Sequence, residues 1–389
     1  IIHKIYYIVI LSFWFNMNIF NKYTYLFLGL IISALLVVFT IIPRFETQEF
    51  DKNRVKDIAE GITTTTISGS PADVSQEEVA DQLGADIDEV EKSEIEKLLL
   101  NNKAKFEITG YKSYLLIGSD ERDSNSSASR GFVEGQRADV IIIGLISDTS
   151  DKHYLLSIPR DTLIINACTD SLERINSSYS NNKCGNNAEN LAASVQSITG
   201  ISVDHFASFN FEGFEHIIDS FDGIEVCVDK AQREGYSFEL QKGCQTVSGS
   251  TALNWIVSRN TEVLVGPKIL NENGDDASTW KQMEGVSDLS RNERQQYVIL
   301  QLLNKVSDFS SIAELNSFIN TLEDSFIIDK NLTLNRAIET LWNFRNIDLE
   351  KINKLSLPTY PYELQDGRQV LIISENFSDY TSENGFLIP

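Results

Sequence analysis

The sequence predicts an α/β protein: a mixed central β-sheet covered by helices on both faces, preceded by one N-terminal transmembrane helix. Three observations carry this. Short apolar runs that read as buried strands interleave with segments whose apolar residues recur at helical spacing. Two of those runs, 139–147 and 153–158, are separated only by the Asp-rich turn "DTSDK", which makes them an antiparallel hairpin. The stretch Tyr23–Pro43 carries no charged residue and matches the ~20 residues that span a bilayer.

The anchor comes first along the chain. Lys22 precedes it and Arg44 follows it, so flanking charge alone sets no orientation. No small-residue cleavage site follows, which favours an uncleaved anchor over a removed signal peptide; a buried core helix is the alternative. The first methionine is Met17, so residues 1–22 are read as a cytoplasmic stretch or as an extension upstream of the true start. Residues 44–109 read as a polar linker, with "GITTTTISGSPADVS" at 61–75 and an acidic, helix-prone run at 75–106 that is assigned no chemistry. The globular domain is expected over 110–361, with a C-terminal tail at 362–389.

Within the domain, "SYLLIG" (113–118) is the first strand, and the hairpin strands 139–147 and 153–158 follow. "NAENLAASVQSITG" (187–200) is a helix closed by Gly200, and "DHFASFNF" (204–211) is a strand. The segment 212–223 spaces Phe214, Ile217, Ile218 and Phe221 as one helix face. "IEVCV" (224–228) is a strand; 250–259 and 289–306 are helices. The remainder adds two amphipathic helices and a strand at 369–374.

A formal net charge of −23 over 389 residues excludes a general nucleic-acid footprint, which needs a basic surface. Any phosphate must bind in a local positive pocket. The four cysteines, Cys168, Cys184, Cys227 and Cys244, fall as two pairs without CxxC metal spacing. Beyond a membrane anchor they suggest an oxidising exterior and the disulfides Cys168–Cys184 and Cys227–Cys244; four buried thiols in a cytosolic domain are the alternative.

Charged residues collect where strands end. In the hairpin, the start of the first strand, Asp139, must lie near the end of the second, Arg160 and Asp161. Arg137 stands two residues before Asp139. Strand 113–118 exits into "SDER", bringing Asp120 to the same edge if the strands are neighbours. Carboxylates suit Mg²⁺, which completes its shell with water and phosphate oxygens. Arginine offers phosphate a planar fork of donors. A structural salt-bridge network is the competing reading of the same residues. The helix at 289–306 adds Arg291, Arg294 and Gln295 near its start, with Ser290 and Glu293 read as a capping box. Arginines there oppose the helix dipole, which makes sense if an anion docks at that end. Arg174 and Arg259 are further candidates. There is no GxSxG elbow, P-loop, GxGxxG or HExxH, and His205 reads as a packed core residue.

The ordered stretches "LLIGSDER", "RADVIIIGLI", "LLSIPRDT", "ERINSSY", "ITGISVDHFASFNFEGF", "FDGIEVCV" and "DLSRNERQQ" resemble the LytR-CpsA-Psr family of cell-wall glycopolymer transferases. The resemblance implies a single-pass cell-membrane protein with its catalytic domain outside. It implies transfer of a glycopolymer from a polyprenyl-pyrophosphate carrier to a peptidoglycan hydroxyl, making a phosphodiester with Mg²⁺ or Mn²⁺. By the same resemblance Asp120 and Asp139 hold the metal. Arg137, Arg160, Arg174, Arg259, Arg291, Arg294 and Gln295 hold the pyrophosphate, and Phe211, Phe214 and Ile218 line the lipid slot. The base for the incoming hydroxyl stays open between Asp139 and Asp161. Hydrolysis of the polyprenyl pyrophosphate, and non-catalytic binding of isoprenoid phosphate or wall polymer, are the alternative functions. The chain departs from the family pattern in three places. Val257 stands where an arginine is common, Asp222-Gly223 replaces a Gly-Gly pair, and residues 260–287 form a long insertion in which Lys268 or Lys281 is a candidate for the lost charge.

Overall fold

The computed structural model describes residues 46–61, 89–119, 137–147, 152–180, 183–283, 288–322, 325–345 and 347–386. The predicted anchor at 23–43, and Asp120, lie outside them. Among the described residues no helix is long and apolar enough to cross a membrane.

The elements in chain order are β1 (Glu46–Gln48), α1 (Lys52–Ala59), α2 (Glu89–Asn101), β2 (Tyr111–Ser119), β3 (Ala138–Ser147), β4 (Tyr154–Ser157), β5 (Leu163–Ile165), β6 (Leu172–Arg174) and α3 (Asn187–Thr199). Next come β7 (His205–Asn210), α4 (Phe211–Ser220), β8 (Ile224–Val228), β9 (Gln232–Glu234), β10 (Phe238–Leu240), β11 (Gly243–Val247) and α5 (Gly249–Val257). The chain continues through β12 (Glu262–Leu264), β13 (Trp280–Gln282), α6 (Asp288–Ser307), α7 (Ile312–Ile319), β14 (Ile327–Asp329) and α8 (Leu334–Phe344). It closes with β15 (Asn353–Ser356), β16 (Thr359–Glu363), β17 (Gln369–Ile373) and α9 (Phe377–Glu383).

Seven strands form the central sheet in the order β1-β14-β7-β2-β3-β4-β15. Pairing is mixed: β2 runs parallel to β7 and antiparallel to β3, and β4 runs antiparallel to β3 and parallel to β15. The apolar run in β3 is continuous because both of its faces are covered. Ile141, Ile143 and Leu145 face a core that contains Val55 and Ile58 of α1 and Leu191, Val195 and Ile198 of α3. Val140 and Ile142 point the other way, toward Ile299 and Leu300 of α6. A slip of one residue would exchange the two sets, so the register is strongly specified. Helix α3 starts on a capping box between Asn186 and Glu189 and ends at Gly200, whose φ of 73° is left-handed. A side chain there would also strike the Phe106 carbonyl oxygen at 2.2 Å.

Three sequence expectations change. The segment 44–109 is not simply a linker. Strand β1 pairs in parallel with β14, and the Asp51 backbone N–H and the Arg54 guanidinium both reach the fully buried Glu189 carboxylate. Helix α2 buries Ile95 and Leu99, one turn apart, against Leu163, Leu172 and Val370. These apolar residues are sparse among charges, which is why the run reads as solvated. The tail is also structured: β16 pairs with β17, and Phe377 of α9 is fully buried. Contacts accordingly group Phe45–Pro389 as one compact unit. Finally, α6 begins at Asp288, so Ser290 lies inside its first turn and is not its cap.

The Arg54–Glu189 pair gives a first prediction. Arg54→Ala should lower stability by about 1.5–3 kcal/mol, the range for hydrogen bonds to a charged group. Urea denaturation checks this: the midpoint should fall at an unchanged slope. An unmoved midpoint would return the 46–61 segment to the status of a tether.

Both disulfides are formed, Cys168–Cys184 and Cys227–Cys244. The insertion contributes β12 and β13 to a second sheet with order β10-β9-β12-β13. There Arg233 lies between Glu262 at 2.8 Å and Asp276 at 3.0 Å, over the Trp280 ring. Asp222 takes a left-handed φ of 57°, a conformation that favours glycine, at the first position of the expected Gly-Gly pair.

Candidate functional site

The site forms at the sheet edge where β2, β4 and β7 end and β3 begins. Ser119 pairs with Ala138, so the end of β2 and the start of β3 meet there. Pro159–Thr162 is a tight turn closed by the Thr162 N–H on the Pro159 carbonyl at 3.1 Å, and the Thr162 hydroxyl bonds the same oxygen at 2.6 Å. Arg160 and Asp161 are the two central residues of that turn, which is why the buried strand gives way to adjacent charges. The Leu371 N–H on the Asp161 carbonyl and the Asn176 N–H on the Arg160 carbonyl fix the turn from two sides.

Asp161 is the hub. Its carboxylate lies 3.6 Å from Arg160 Nε, 3.5 Å from Arg174 Nε and 4.0 Å from Arg291 Nη2. Arg160 Nη1 donates to Asp139 Oδ1. Arg174, at the end of β6, also donates through Nη2 to the Gln369 carbonyl at 3.0 Å. All five side chains are largely shielded, the least exposed being Arg291 at 11 %. Three guanidinium groups thus face two carboxylates, a local positive excess in a chain of net charge −23. Arg174 Nε is buried and makes no hydrogen bond. Burial, and then the like charge of Arg160, push the Arg291 pKa down to about 10, while Asp161 and Asp139 pull it back up. A multivalent anion would relieve both effects.

The other expected residues are placed as follows. Arg137 is half-buried just before β3. Gln295 is buried on α6. Arg294 turns away from the Asp161 hub. Its Nη1 donates to the Trp255 carbonyl at 2.7 Å and to Thr261 Oγ1 at 3.1 Å, so it caps the C-terminal turn of α5. Burial lowers its pKa to about 10. Arg259 is exposed, just past α5, and is not ion-paired to Asp139 or Asp161. Val257 packs against the apolar cluster that contains Phe214 and Ile218, with Phe211 at its margin. Those three residues expected at the lipid slot do come together, yet Ile218 is fully buried and the cluster is closed by packing with Ile224, Val226 and Trp255. Lys268 pairs with Glu239 at 2.7 Å and does not replace the missing arginine.

Asp139 offers the hard carboxylate oxygens that Mg²⁺ takes, with Oδ1 engaged by Arg160. The donor type fits; its expected partner, Asp120, lies outside the described residues. One residue was missed from sequence. Gln296 Nε2 donates to Ser157 Oγ and the Leu355 carbonyl, each at 2.8 Å, seating α6 across β4 and β15. The doublet "QQ" after the two arginines was the available signal.

A profile of the LytR_cpsA_psr family matches residues 72–384. The chain belongs to the LytR-CpsA-Psr family. It is 25% identical over 235 residues to the polyisoprenyl-teichoic acid–peptidoglycan teichoic acid transferase TagU of Bacillus subtilis, covering 60% of this chain and 63% of that protein. The chain thus spans under two thirds of the length of such curated relatives. Among solved structures, B. subtilis TagV superposes with a TM-score of 0.53 at 20% identity, covering 70% of this chain and 95% of that one. A structure of TagT bound to LI-WTA gives 0.51 at 18% identity, covering 74% and 96%. These two likenesses show the LytR-CpsA-Psr fold.

Proposed function

We propose that this protein is a membrane-anchored phosphotransferase that moves a glycopolymer from a polyprenyl-pyrophosphate carrier to a peptidoglycan hydroxyl. The convergence of Arg160, Arg174 and Arg291 on one carboxylate at the sheet edge carries the reading. Membership of the family, and relatives named as teichoic acid transferases, support it. The arginines would take the pyrophosphate of the carrier. The acceptor oxygen forms a bond to the sugar-side phosphorus, the P–O–P bridge breaks, and polyprenyl phosphate leaves. Arg160, Arg174 and Arg291 would neutralise charge developing on that leaving phosphate. Asp139, with Asp120, would hold Mg²⁺ or Mn²⁺, which supplies further neutralisation when bound. On this reading the five charged side chains act by positioning and charge.

The test incubates the full chain with a short polyprenyl-pyrophosphate disaccharide and peptidoglycan sacculi, with and without Mg²⁺. Phosphodiester-linked sugar on the sacculi, dependent on the metal, is the expected result. Sugar phosphate released equally without acceptor would favour the hydrolase. Donor binding with no turnover would leave a binding module.

A further inference from the structure

Strands β8 and β11 form an exposed antiparallel ribbon in which Cys227 lies directly opposite Cys244. Glu225 stands two residues before Cys227 and so projects from the same outward face. Glu225, Cys227 and Cys244 are all exposed, and their ligand atoms lie within 4.8 Å of one another. The inward residues Ile224, Val226, Val228 and Val247 are buried in the core cluster with Leu253 and Trp255. That underside holds the ribbon in register whether or not the sulfurs are bonded. We propose that reduction of the Cys227–Cys244 disulfide converts this ribbon into a Zn²⁺ site with two thiolates and the Glu225 carboxylate as ligands.

The chemistry balances. A dithiol reductant passes two electrons and two protons to the disulfide and leaves as its own cyclic disulfide. Zn²⁺ then displaces the two thiol protons. Tetrahedral zinc, at about 2.3 Å from sulfur and 2.0–2.2 Å from oxygen, places ligand atoms roughly 3.5 Å apart. The three groups need only small side-chain rotations to reach it, and water takes the fourth position. Thiol exchange depends on access. Cys168 and Cys184 are only partly exposed and pack against the main core, so the outward pair on the ribbon is attacked first. Metal then replaces the covalent cross-link under reducing conditions.

The test uses the full chain, reduced with dithiothreitol, desalted under argon and titrated with Co²⁺. One equivalent should give a thiolate-to-cobalt charge-transfer band and tetrahedral d–d bands, both lost on adding Zn²⁺; unreduced protein should give neither. The spectrum should persist in the Cys168→Ser/Cys184→Ser variant and vanish in Cys227→Ser/Cys244→Ser. Glu225→Gln, which leaves both cysteines in place, should weaken Co²⁺ binding at least about tenfold. Reduced protein that takes no cobalt overturns the proposal. So does a spectrum that survives loss of Cys227 and Cys244, or one whose affinity ignores Glu225.

Discussion

Arg160→Ala should lower glycopolymer transfer by about 10²–10³-fold, the usual cost of removing one preorganised donor from a developing oxyanion. Arg160 is the residue that joins the two carboxylates of the site: it donates to Asp139 and sits beside Asp161. It is presented by a turn whose backbone is bonded to Leu371, Asn176 and Thr162, so its position does not depend on substrate. Arg160→Lys should recover little, because an ammonium lacks the planar fork. Both carboxylates retain some solvent exposure, 16 % for Asp139 and 23 % for Asp161, so the fold should survive the loss. The check is initial-rate transfer beside a melting curve. Unchanged turnover with a lowered melting temperature would make this a structural network.

That pairing is legible in the sequence because it follows from a local rule. A five-residue turn makes a hairpin, and a hairpin sets the start of one strand against the end of the next. The same logic gave α3 with its Gly200 stop. The approach of Arg174 and Arg291 to Asp161 obeys no such rule. Arg174 arrives on the short β5–β6 hairpin and is held by the distant Gln369 carbonyl. The rotation of α6 is set by Gln296 on β4 and β15, and that rotation separates Arg291 from Arg294. The family resemblance put both arginines at the pyrophosphate, and their nearness in one helical turn offered nothing to separate them. Tertiary contacts divided them, one toward Asp161 and one onto the end of α5. The N-terminal strand and α1 escaped notice for a related reason. They join the core through the pairing of β1 with β14, through Val55 and Ile58 and through Arg54 on the buried Glu189, a set too sparse in apolar residues to show as periodicity.

The hub itself separates two roles for Asp161. As an organiser of arginines, Asp161→Asn should keep the side-chain shape and release Arg174 and Arg291. Losing these shielded ion pairs is worth about 1–3 kcal/mol, so kcat/KM for the donor should fall roughly 5–150-fold, mainly through KM. The split between KM and kcat gives the second readout. Arg291 stays charged in both forms, so the loss should appear in donor KM with kcat little changed. A general base would behave otherwise: Asp161→Asn would abolish kcat at every pH and leave donor KM in place. With Asp161 contacting three guanidinium groups in the absence of substrate, a raised donor KM with kcat retained is the expected outcome.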